Sequence, residues 1–124
     1  FINYKKDEEK NREEFAKFAT KNLIYDSLQI ADSIDIALKH GGGEGIKEIK
    51  SQFLEILRRH GVEETIVSKG DKFDPLEHES IIEEAVEKED LDGTIIEELQ
   101  KGYKLFNRVL RPSKVKVGAY KIKN

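Results

Sequence analysis

The sequence predicts an α+β protein: a long N-terminal helix and a short helix, followed by a small C-terminal all-β domain. Three observations predict it. Residues 2–39 contain neither glycine nor proline, four glycines crowd positions 41–45, and after Gly61 short β-branched or apolar segments separated by turn residues replace the helical texture. The domain boundaries follow as 1–61 for the helices and 62–124 for the strands.

The first helix is rich in Glu, Lys, Ala and Leu, all good helix formers. Phe1, Tyr4, Phe15, Phe18 and Tyr25 form one heptad-spaced stripe, interrupted by Glu8, Asn11 and Asn22. Polar residues at such seam positions weaken a coiled coil while fixing its register, so this half of the helix is expected to melt on heating. Glu8 with Arg12 and Glu13 with Lys17 are i,i+4 pairs in the favourable order. Near residue 24 the stripe changes phase, and Ile24, Leu28, Ala31, Ile34 and Leu38 define a more apolar face. At 1.5 Å per residue such a helix is about 57 Å long, whereas a compact chain of this size is roughly 35 Å across. The apolar stripes therefore call for a second chain.

The glycine segment Gly41–Gly45 follows a helix rather than a strand and matches no phosphate-binding pattern, so it reads as a helix cap and turn. Residues 46–60 form the second helix, with Ile46, Ile49, Phe53, Ile56 and Leu57 on one face and Gly61 as its stop. A long and a short helix from each of two chains make a four-helix bundle. Beyond it, residues 80–86, 94–100, 103–105, 109–110 and 114–120 read as strands. Asp92-Gly93, Lys101-Gly102, Phe106-Asn107 and Arg111-Pro112 break them. Val115, Val117 and Ala119 alternate with Lys114 and Lys116, as in a strand with one wet face.

The net charge of −3 conceals a polarised second half. Residues 62–100 carry three basic and fourteen acidic side chains, and residues 101–124 carry eight basic and no acidic ones. Three readings fit the basic end. It could bind single-stranded nucleic acid, with Tyr103, Phe106 and Tyr120 among its cations; it could pair with the acidic strands of its own sheet; or it could dock on an acidic protein. Charge alone does not choose among them.

Little catalytic chemistry is available. The absence of cysteine removes disulfides, thiolate metal sites and thiol nucleophiles together. His40 and His60 fall at helix ends, and His78, flanked by Glu77 and Glu79, has no second histidine near it and reads as a turn or surface residue. The acids of 62–100 have no apolar pocket to raise a pKa. No catalytic set, metal site or cofactor is expected, and no run of apolar residues is long enough to span a membrane. The chain opens at Phe1 rather than methionine and is read as a fragment.

One set of motifs goes further. Phe73-Asp74-Pro75-Leu76-Glu77-His78-Glu79-Ser80-Ile81 resembles the F-D-P-x-x-H-E-A-[IV] signature of the GrpE family, and Gly93 to Tyr103 and Arg108-Val109-Leu110-Arg111-Pro112 continue it. Upstream, Phe1-Ile2-Asn3-Tyr4-Lys5-Lys6 is similar to F-x-N-Y-[RK]-[RK], and His60-Gly61-Val62-Glu63 to H-G-V-E. The resemblance covers nearly the whole chain. It implies a homodimer with a paired helical stalk, a four-helix bundle and two β-wings. It further implies a nucleotide-exchange factor that opens the cleft of a DnaK-type chaperone so that ADP leaves, in a bacterial cytoplasm or, less expectedly, a mitochondrial matrix. Nucleic acid and membrane are not expected partners. Carried over residue by residue, Arg108 and Val117 match wing contacts to the chaperone. Lys5 takes a basic stalk position, and Gly45, just before the second helix, matches a glycine on the bundle surface. Ile24, Leu28, Ile34, Leu38, Phe53 and Leu57 would build the bundle and dimer core.

Overall fold

The computed structural model describes residues 2–121. By internal contact the chain divides into two compact units, one up to Lys50 and one from Ser51 onward, with the division inside the second helix.

The first unit is dominated by α1 (Ile2–Lys39), one uninterrupted helix of 38 residues. From Tyr4 to Leu23 every side chain is exposed, including Tyr4 and Phe15 at 72% and Phe18 at 61%. Phe1, the first residue assigned to that stripe, lies outside the described residues. Burial begins where the pattern changes phase: Ile24, Leu28, Ala31 and Ile34 are buried, and Leu38 is half-buried. Glu8 and Arg12 pair at 3.1 Å as their spacing requires.

The end of α1 is fixed by backbone chemistry. The Gly42 N–H donates to the Ala37 carbonyl at 2.9 Å and the Gly41 N–H to the Leu38 carbonyl at 3.3 Å, with Gly41 at φ +83°. This is the Schellman arrangement, which uses a left-handed glycine to satisfy the last carbonyls of a helix. The second helix, α2 (Gly43–Arg59), starts three residues before the expected Ile46, so Gly45 lies in its first turn and not in the loop ahead of it. Glu44 there opposes the positive end of the helix dipole. Lys50 of α2 pairs with Asp35 of α1 at 2.9 Å.

In the second unit, α2 continues with half-buried Phe53 and buried Leu57 and ends at Gly61, φ +85°. Two three-stranded sheets follow. The first has the order β1 (Val62–Glu64), β4 (Tyr103–Leu105), β5 (Arg108–Arg111), all antiparallel. The second has β6 (Ser113–Tyr120) between β2 (His78–Val86), which runs parallel to it, and β3 (Ile95–Gln100), which runs antiparallel. A short 3-10 turn, Glu89–Leu91, links β2 and β3. The alternation in β6 is as expected: Val115 and Val117 join Ile95 in a buried cluster with Val67 and Phe73 against it, while Lys114 and Lys116 are half-exposed.

Both rims of the second sheet are managed. Residues 70–73 run along the outer side of β3, with the Gly70 N–H on the Ile95 carbonyl at 2.9 Å and the Ile95 N–H on the Asp71 carbonyl at 2.8 Å. The β2 rim is interrupted at Ser80/Ile82 and carries exposed Glu79, Glu83 and Glu84. An irregular, charged edge resists pairing with another chain.

Candidate functional site

Of the residues assigned by resemblance to the partner surface, Arg108 stands on the hairpin β4–β5. Leu105 pairs with Arg108 and leaves only Phe106 and Asn107 to make the turn, at φ 49° and 65°. Two successive left-handed residues are the type I′ geometry, whose twist matches that of the flanking strands. The turn also touches the end of α2: the Phe106 N–H donates to the Gly61 carbonyl at 2.8 Å. Immediately after the turn stands Arg108, exposed, with Val109 beside it.

The base of the hairpin is locked to the second sheet. Arg111 donates from Nε and Nη2 to the Lys101 carbonyl at 3.0 and 2.6 Å, and its guanidinium lies 5.3 Å from the centre of the Tyr103 ring. One planar cation thus clamps the connection between β3 and β4 and stacks on the buried Tyr103. Beside it the Gly102 N–H donates to Ser113 Oγ at 3.1 Å, and the Gly102 carbonyl accepts from the Thr65 N–H at 2.8 Å. Lys101 bridges Glu64 at 3.2 Å and Glu98 at 3.4 Å. Burial by itself would lower its pKa, but the two carboxylates outweigh that and hold it above the ordinary lysine value.

The basic end is therefore partly used within its own domain. Lys101 pairs as described, Lys116 meets Glu97 at 3.4 Å across β6 and β3, and Lys104 pairs with Glu77. Cross-strand pairing within one sheet, one of the three sequence readings, accounts for Lys116; Lys101 and Lys104 pair with acids of their own domain outside a shared strand ladder.

The F-D-P-x-x-H motif proves to be a structural corner. Asp74 Oδ1 accepts the Leu76 N–H at 2.9 Å, and the Asp74 carbonyl accepts the His78 N–H at 2.8 Å. His78 Nδ1 accepts the Asp74 N–H at 2.9 Å, and the imidazole packs on Phe73 with ring centres 5.9 Å apart. His78 is the turn residue expected but not a surface one: it is buried at the start of β2, because its ring nitrogen closes the turn that Pro75 opens. Among the described residues no group of three or more histidine or acidic side chains is placed to hold a metal ion.

The other assigned residues are distributed unevenly. Val117 is only 8% exposed and sits in the core of the second sheet, so in this chain it supports the domain from inside and does not share a surface with Arg108. Lys5 is exposed on α1. At Gly45 an added Cβ would meet nothing within 4 Å. The motif pointed to neither the Arg111 clamp nor the contact of Phe106 with Gly61. A two-residue gap between strands and a glycine closing a helix were their only sequence signals.

The sequence model of the GrpE family matches residues 1–119. The chain belongs to the GrpE family. Among curated relatives, the protein GrpE of Methanothrix thermoacetophila is 43% identical over 112 residues, covering 90% of this chain and 60% of the relative. Protein GrpE of Methanobrevibacter smithii is 38% identical, covering 94% and 65%, and that of Thermotoga maritima is 38% identical, covering 87% and 64%. The chain thus spans somewhat less than two thirds of the length of these GrpE proteins. No described helix is long and apolar enough to cross a membrane.

Proposed function

We propose that this GrpE-family chain is a nucleotide-exchange factor for a DnaK-type chaperone, working in the cytoplasm as a homodimer and without a cofactor. The supporting observation is that, in a chain the GrpE family model matches over residues 1–119, the Arg108-to-Pro112 motif forms one arm of a clamped hairpin with Arg108 exposed next to its turn. Arg108 would contact the chaperone, Lys5 would add a second basic contact from α1, and Val117 would hold β6 in place. The exposed apolar stripe of α1, with Ile49 and Ile56 of α2, supplies the faces for the second chain.

Such a factor needs no bond-making chemistry. It has to bind the open arrangement of the chaperone's lobes more tightly than the closed one, and the population follows. By reciprocity, ADP weakens binding of the factor by the same ratio as the factor weakens ADP. A thousandfold weakening requires about 4 kcal/mol of differential binding, within reach of a few well-placed contacts. The test is release of a fluorescent ADP analogue from a DnaK-type chaperone. The chain should accelerate release and Arg108→Ala should remove most of the acceleration; no acceleration by the unmodified chain would sink the reading.

A further inference from the structure

Phe106 is both strained and exposed. Its φ of 49° is in the left-handed region, which a bulky side chain rarely occupies and keeps only where its surroundings over-determine it. Burial does not do so, because the residue is 74% exposed. Two contacts with Gly61 do. One is the hydrogen bond from the Phe106 N–H to the Gly61 carbonyl at 2.8 Å. The other is the ring itself, which occupies the space where a side chain on residue 61 would be: a Cβ there would fall 2.7 Å from Phe106 Cδ1 and closer still to the outer edge of the ring. Only glycine admits the ring, and Gly61 is also the left-handed residue that terminates α2.

We infer that Phe106 and Gly61 are positioning residues: the ring seated on Gly61 fixes the tip of the β4–β5 hairpin at the end of α2, and so presets the direction in which Arg108 meets its partner. This rests on the exchange function proposed above for Arg108. It adds that the hairpin is rigid before the partner arrives, which lowers the ordering cost of binding.

The test uses the full chain and three variants. Phe106→Gly keeps the left-handed turn and removes the ring; Gly61→Asn keeps the left-handed helix end, which asparagine tolerates, and adds the Cβ that evicts the ring; the third variant combines them. Amide hydrogen exchange at residues 106 and 108 and acceleration of ADP release are measured on each. Each single change should speed amide exchange several-fold and weaken the acceleration several-fold, and the double variant should be no worse than the poorer single one. Unchanged amide protection in both single variants would overturn the inference. So would full acceleration by Gly61→Asn beside a loss in Phe106→Gly, since Phe106 would then be a direct contact only. If the unmodified chain accelerates no release, the exchange reading falls, and the amide data alone decide whether the ring holds the hairpin.

Discussion

Arg111 shows how much of the second unit depends on single side chains. Its fork holds the Lys101 carbonyl and its face lies on Tyr103, and lysine can reproduce neither the paired donors nor the stacking. Arg111→Lys should therefore destabilise the unit by about 1–3 kcal/mol, read as a lower urea midpoint. Lys101 gives a pH signature. Its pKa is raised by Glu64 and Glu98 above the ordinary 10.5, so its contribution is complete below that value and disappears as pH climbs through the raised one. The stability difference between the unmodified chain and Lys101→Met should hold from neutral pH to about 10.5 and then shrink; a difference that grew with alkalinity would contradict the pairing. Two glycines should behave oppositely. At Gly102 a Cβ would lie 2.5 Å from the Ser113 nitrogen and 2.9 Å from the Arg111 carbonyl oxygen, so Gly102→Ala should destabilise markedly. Gly45 faces open space inside α2, so Gly45→Ala should raise the melting point, with a gain of about 0.5–1 kcal/mol.

At the level of elements, α1 has two different halves. Residues 4–23 are exposed throughout, so they lack the tertiary packing from which most helical stability comes. Their seam carries Glu8, Asn11 and Asn22 in place of apolar residues. Helical circular dichroism should therefore fall in two steps, and replacing Asn11 and Asn22 together with leucine should raise the lower midpoint. A single transition unaffected by those changes would count against a weak stalk. The helices and most strands were legible in the sequence because periodicity reports which face of an element is apolar, and glycine reports where it stops. Periodicity does not report partners. Nothing in residues 78–86 or 113–120 said that β2 and β6 run parallel. Three-residue β1, two of its residues glutamates, is too short to show a pattern. Arg108 was found through the motif, whereas the seat beneath its hairpin was not, because Gly61 and Phe106 are far apart in sequence and meet only when α2 ends beside the turn. Val117 was placed at a surface by resemblance, and its own alternation with lysines was the better guide to its burial.

On the scale of the whole molecule, no reacting group is needed, since the proposed activity is a difference in affinity for two states of another protein. Both units then matter through the faces they present, and α1 leaves Tyr4, Phe15, Phe18, Leu23 and Tyr25 exposed. The second sheet adds a dependence of another sort. Its middle strand, β6, is the last described strand in sequence and pairs with both neighbours, so a chain stopped after Pro112 should lose the β signal of this sheet while α1 and α2 keep their helical dichroism. On a ribosome the same geometry becomes a schedule. Strands β2 and β3 emerge first and wait with unpaired inner edges until residues 113–120 clear the exit tunnel, so this sheet can close only after translation of the strand has finished. A protein proposed to serve chaperones would thus itself pass through the exposed-edge stage in which nascent chains are most prone to aggregate.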